Sequence, residues 1–233
     1  MAKRRAVRLK EGRPRRSSRE SFGDAGVISG GLLGLGLLGL GAWLLLGRKG
    51  GGQIISREQL LALLPESEPV ADVYLPFLNE AMGRAQINTS ARAAAFLAQV
   101  AVESDRLQTM EEYASGEAYN GRADLGNGPN DGPRFKGRGA LQLTGRFNYR
   151  DASPMVGVDL QANPARAADP DVGFLTAAWV WSKFGLNDYA DAGNLNAITR
   201  AINCGSPNSG CSPNGVDLRQ WYYERAKELF AVE

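Results

Sequence analysis

The 233-residue chain contains no histidine. That absence removes Ser-His-Asp and Cys-His hydrolases, zinc sites built on imidazole, and any histidine general base. Its two cysteines, Cys204 and Cys211, are too few for an all-cysteine structural zinc site, and neither has a histidine to activate it as a nucleophile. Net charge is also scarce, at +2 from 27 basic and 25 acidic side chains. A hydrolase made from this chain works with carboxylates; otherwise the chain does no chemistry.

The small net charge hides an asymmetry. Residues 1–26 carry nine Lys or Arg against Glu11, Glu20 and Asp24, leaving a mildly acidic body. Residues 27–46 then read VISGGLLGLGLLGLGAWLLL, twenty positions without a charge. A helix of that length spans about 30 Å, the thickness of a hydrocarbon core. A cleaved signal peptide is the alternative. Against it, the run exceeds a usual signal core, and Arg48-Lys49 follow where a small-residue cleavage site is required. The expected layout is a basic cytoplasmic arm (1–26), a membrane-spanning anchor (27–47), a Gly-rich linker (48–55) and a body (56–233). The excess of basic residues before the span predicts a cytoplasmic N-terminus and a body outside the cytoplasm. Six of the twenty apolar positions are glycine, which lowers hydrophobicity and helix propensity. Such spacing suits either helix–helix association in the bilayer or a weakly held span that leaves it.

The body reads as mostly helical. Ser56 caps a helix with Gln59 three residues on, and Pro65 ends it. Further helices are predicted over 74–82, over the Ala-rich stretch SARAAAFLAQVAVES (90–104), from about Val172 to Phe184, and from about Leu218 to Phe230. Residues 116–133, rich in Gly, Asn, Asp and Pro, form a loop or short hairpin.

Glu103 ends the Ala-rich helix after three apolar residues, Val100, Ala101 and Val102. Low polarity around a carboxyl raises its pKa, as a general acid near neutral pH requires. Glu111 and Glu112 follow among polar residues that keep a carboxylate ionised. Two carboxyls in contrasting surroundings are the minimum equipment for glycosidic hydrolysis. Against this stands the plain reading that a Glu at a helix end is a solvated residue.

Three stretches tip the balance: FLAQVAVES (96–104), TMEEYASGEAYNGRADLGN (109–127) and RFKGRGALQLTGRFNY (134–149). Together they resemble glycoside hydrolase family 19, which contains chitinases and a branch of phage endolysins. ITRAIN (198–203) and the segment 219–226 extend the resemblance to about residues 70–230. It implies a mainly α-helical, lysozyme-like domain with a small irregular or β cleft wall. By position, Glu103 matches the general acid and Glu112 the base that activates water, with Glu111 as a substitute. Thr144 matches the hydroxyl that helps hold that water. Gln142, Asn148 and Asn203 match positions lining the sugar sites, and Arg219 a basic residue near the cleft floor. Tyr113 and Tyr119 are aromatic candidates for substrate contact. Where the family often has His before the acid, this chain has Val102. The implied reaction inverts the anomeric centre, with carboxyls about 6.5–9.5 Å apart. No metal or organic cofactor is called for.

Phe135 and Phe147 are expected as scaffold, and at least one of Trp179 and Trp181 as core. RFKGRG is read as a turn with solvated arginines, and the acidic body argues against a nucleic-acid partner. If the body lies outside the cytoplasm, Cys204 and Cys211 are disulfide candidates. The expected partners are peptidoglycan glycan strands and, through residues 27–47, a lipid bilayer. The expected role is cell-wall lysis by a phage or bacterial enzyme. A membrane-anchored chitinase and a non-catalytic wall-binding protein are the rivals.

Overall fold

The computed structural model describes residues 53–230, so the basic arm, the apolar run and the start of the linker lie outside the described residues. Within them, no helix is long and apolar enough to cross a membrane.

Eight α-helices make up the body: α1 Arg57–Leu63, α2 Ala71–Arg84, α3 Ser90–Glu103, α4 Arg146–Val156, α5 Pro170–Lys183, α6 Leu186–Asp191, α7 Leu195–Cys204 and α8 Val216–Phe230. Helix α1 opens as its sequence predicts. Ser56 and Gln59 exchange side-chain and backbone hydrogen bonds in a capping box, satisfying two otherwise unpaired N–H groups. Helix α4 was not anticipated by any periodic apolar pattern, and only Tyr149 and Ala152 of its residues are buried.

Helix α3 is the centre of the molecule. Every residue from Ala93 to Ala101 is buried, so the helix is enclosed on all sides. Its alanines let α8 run closely alongside it, while α2 and α5 pack against one another around the same core. Phe96 meets Trp181 of α5 edge to face at 5.2 Å, and both are fully buried. The Trp181 indole N–H donates to Asn187 Oδ1 at 2.9 Å, so its polar edge is satisfied. Trp181 is core, whereas Trp179 is only partly buried.

Between α3 and α4 the chain is irregular. Among the described residues there is no β-strand; the expected β element reduces to isolated bridges pairing Glu111 with Arg138 and Arg138 with Leu143. They lay the segment after α3 beside the KGRG segment, through Glu112 N–H to Gly137 O at 3.0 Å and Gly139 N–H to Met110 O at 2.8 Å. Directly after α3, Asp105, Arg106 and Leu107 all take left-handed backbone angles, with φ of 47°, 60° and 65°. Each such residue costs about 1–2 kcal/mol. Hydrogen bonds from Arg106 N–H to Ala101 O and from Leu107 N–H to Ser104 Oγ offset part of this. A disulfide links Cys204 to Cys211 and closes the loop after α7.

Candidate functional site

Glu103 stands at the C-terminal end of α3, where its carboxyl emerges from the core. It does not sit in the apolar surroundings that its sequence neighbours suggest. Arg219 of α8, 2% exposed, places Nη2 2.5 Å from Glu103 Oε1. The same guanidinium donates from Nη1 to Gln99 Oε1 at 2.6 Å and from Nε to the Asn214 carbonyl at 3.2 Å. Gln99 lies one turn before Glu103 on the same helix face, and its amide donates to Thr199 Oγ1 of α7 at 3.2 Å. A buried polar chain through α7, α3 and α8 therefore fixes the carboxyl. Gln99 and Thr199 were not singled out from sequence; the spacing of four between Gln99 and Glu103 was the available signal.

Glu112 and Glu111 are adjacent in sequence but differently engaged. Glu111 Oε1 is ion-paired with Lys136 Nζ at 2.8 Å and with Arg138 Nη2 at 3.3 Å. Burial works to raise its pKa, yet these two cations outweigh it and hold the carboxyl below its ordinary value. Arg138 is 7% exposed, and its Nη1 also donates to the Tyr149 hydroxyl at 3.1 Å. The reading of RFKGRG as a turn with solvated arginines is thus corrected for Arg138, which is a buried strut beneath the wall. Tyr149 is fully buried, and burial pushes its phenol up to about 12.

Glu112 faces the other way. Its Oε2 accepts from the Gly137 N–H at 3.0 Å and the Tyr119 hydroxyl at 3.2 Å, while Oε1 is buried with no hydrogen bond from the protein. Gly137 is required here. A Cβ on it would lie 2.7 Å from Glu112 Oε2 and 2.5 Å from Gln142 Oε1. The Tyr119 phenol has a raised pKa, first because it is buried, then because of the charge and hydrogen bond of Glu112, with the Glu103 charge adding to the effect. One phenol therefore feels both carboxylates.

Along the rest of the site, Gln142 takes a left-handed φ of 49°. Its carbonyl accepts from Thr144 Oγ1 at 2.8 Å. Asn148 Nδ2 donates to the Thr144 carbonyl at 2.8 Å, and Asn148 Oδ1 accepts from Lys183 Nζ at 2.7 Å. Gln142, Thr144 and Asn148 are thus linked in turn, and Gln142 Oε1 and Glu112 Oε2 both crowd Gly137. Two other candidates are placed differently. Asn203 Oδ1 accepts from Asn214 N–H at 2.9 Å, so its oxygen holds the loop that presents a carbonyl to Arg219. Tyr113 is 77% exposed and donates its hydroxyl to Asp105 Oδ2 at 3.0 Å. Phe135 is core, whereas Phe147 is 43% exposed and lies over Gly126, where its ring leaves no room for a Cβ.

Residues 80–190, which hold both carboxylates and the run from Gly137 to Asn148, match the family described as Chitinase class I. That segment is similar to glycoside hydrolase family 19. Among similar proteins, Chitinase 6 of Oryza sativa subsp. japonica is 33% identical over 103 residues, covering 44% of this chain and 38% of its own. A glycosyl hydrolase family 19 domain-containing protein of Haemophilus influenzae is 34% identical over 98 residues, covering 41% of this chain and 44% of its own. The chain spans between about a third and a half of the length of the curated relatives it matches. The fold extends beyond the matched segment. The structure of chitinase C from Streptomyces griseus superposes with a TM-score of 0.59 at 23% identity, covering 78% of this chain and 95% of that one. The shared fold therefore covers more of the chain than residues 80–190.

Proposed function

We propose that the chain is an inverting glycosidase of β-1,4-linked amino-sugar polymers, with peptidoglycan as its substrate. The observation that carries the reading is the contrast between two carboxyls that one phenol, Tyr119, feels together: Glu103 is gripped by a buried guanidinium, and Glu112 is held only by neutral donors. In this reading Glu103 protonates the leaving glycosidic oxygen. As that proton departs, negative charge grows on a carboxylate already 2.5 Å from Arg219, so the interaction strengthens in the transition state. Glu112 is the base. Tyr119 and Gly137 fix the carboxylate through Oε2, no cation is paired with it, and it takes a proton from the attacking water. Thr144 donates its own hydroxyl hydrogen to Gln142 O, so its lone pairs face outward as acceptors that orient the same water. Gln142 and Asn148 line the sugar path. Arg219 and Asn203 hold Glu103 rather than touch sugar.

The preference for peptidoglycan is supported by the sequence of residues 1–49, whose basic arm and uncharged run are those of an anchor with the body outside the cytoplasm. The names of the relatives favour chitin as the second reading. The test is to supply the full chain in detergent with purified sacculi and, separately, with chitin oligomers. New reducing ends and the anomer first formed are followed by NMR. Reducing ends released from sacculi as the α-anomer, and lost in Glu103→Gln, are the expected result. Cleavage of chitin alone makes it a chitinase. A β-anomer as first product overturns the inverting mechanism, and no cleavage of either substrate leaves a wall-binding role.

A further inference from the structure

Asn148, the last of the candidate sugar-path residues in sequence, is hydrogen-bonded to a cation. Lys183, the last residue of α5, gives one of its three N–H donors to Asn148 Oδ1 at 2.7 Å. Its ammonium lies over the Trp179 ring at 4.8 Å and near the Phe184 ring at 5.5 Å. Most of the neighbouring basic side chains on the wall and on α4 have a carboxylate partner, Arg134 excepted, whose guanidinium donates to the Gln161 carbonyl. Lys136 and Arg138 pair with Glu111, Arg146 with Asp131, and Arg150 with Asp151. Lys183 has no carboxylate within ion-pair distance among the described residues. The aromatic faces hold the charge in place without cancelling it. Packing strips some water from it, which lowers its pKa below the ordinary lysine value, and the nearby Asp151 charge works in the opposite direction.

An uncharged N-acetylhexosamine chain offers such a group hydroxyl and carbonyl acceptors but no counter-charge. A glycan carrying lactyl or peptide carboxylates does. We infer that Lys183, oriented by Asn148 and Trp179, is a specificity-determining residue that recognises a carboxylate substituent on the glycan, at the end of the site beyond Thr144. The inference rests on the glycosidase reading for the direction of the glycan, and it deepens that reading from a polymer class to an acidic polymer. Because Lys183 is exposed to solvent, the gain is modest and weakens as salt rises.

The experiment uses the full chain in detergent carrying Glu103→Gln, so that binding is read without turnover. Co-sedimentation is measured on native sacculi and on sacculi whose carboxylates have been converted to amides. The ratio of the two affinities is compared with and without Lys183→Met, which keeps an apolar stem on the aromatic rings and removes the charge. The basic arm is common to both chains and cancels in the comparison. The expected result is a preference for native sacculi that falls about 2- to 5-fold in Lys183→Met at low ionic strength and converges at high salt. An equal preference in both chains, or no preference in the parent, overturns the inference. The glycosidase reading is judged separately, by whether the chain with Glu103 intact releases reducing ends from either polymer.

Discussion

Arg219 is where removing one side chain has the most calculable outcome. It is 2% exposed and gives hydrogen bonds to three acceptors, Glu103, Gln99 and the Asn214 carbonyl. Arg219→Met keeps an apolar stem of similar length but leaves the Glu103 carboxylate facing a thioether and Gln99 Oε1 without a donor. Breaking one half of a buried ion pair costs about 3–5 kcal/mol. For a domain of this size each kcal/mol lowers Tm by about 2–4 °C, so a fall of about 6–20 °C is expected. Glu103→Gln is milder, at about 1–2 kcal/mol, because the guanidinium keeps three neutral oxygen acceptors. The two changes together complete a cycle. Once Glu103 is Gln, Arg219→Met strands no charge and costs less, giving a coupling energy of about 1–3 kcal/mol. Urea unfolding of all four chains at pH 7 measures it. A coupling below about 0.5 kcal/mol refutes the argument that this ion pair ties α3 to α8.

Glu111→Gln and Glu112→Gln should separate structure from chemistry, because Glu111 is ion-paired with Lys136 and Arg138 whereas Glu112 is held only by neutral donors; loss of activity is expected for Glu112→Gln and retention of most of it for Glu111→Gln, in the reducing-end assay. The Glu111 carboxyl has a depressed folded pKa, so its contribution to stability is present above the ordinary value of 4.5 and is lost as pH falls through the folded value. Acid unfolding curves of Glu111→Gln should accordingly be flatter below that pH. Gly137→Ala should leave expression and helicity intact but cut turnover by at least about 10-fold, since its Cβ displaces Glu112 Oε2 or Gln142 Oε1; unchanged turnover would show that neither oxygen needs its position. Cys204→Ser should free the loop that carries Asn214 and reduce turnover more than it reduces far-ultraviolet helicity, and dithiothreitol should reproduce the effect on the parent chain.

The helices that carry their own signals were readable from sequence. Ser56 and Gln59 form the capping box they spell, and the Ala-rich stretch is the buried helix its composition demands. Helix α4 escaped because Gly145 precedes it, Pro154 lies inside it, and few of its residues are apolar. The site was legible as far as residue types and spacing allow. Glu103 and Glu112 were identifiable, but what distinguishes Glu112 from Glu111 is supplied by Lys136 and Arg138, some 25 residues on. The surroundings of Glu103 were misjudged for the same reason. Val100 and Ala101 point into the core, while the group that meets its carboxyl comes from α8, more than a hundred residues away. Local sequence cannot report a partner that only tertiary packing delivers.

The left-handed run at Asp105–Leu107 bears on how the protein tolerates improvement. Replacing Asp105 or Arg106 with glycine would relieve backbone strain, and a screen for heat resistance would select it, whereas Leu107 is fully buried and its packing outweighs the strain. Those same residues set the direction in which the chain leaves Glu103. Arg106 is tied to Glu66, and Asp105 receives the Tyr113 hydroxyl, so the turn is clamped from both sides. A glycine there would give the end of α3 freedom to wander. Variants selected for melting temperature at these positions should therefore be slower enzymes, and residues 105–107 are where evolution toward stability and evolution toward turnover would pull in opposite directions.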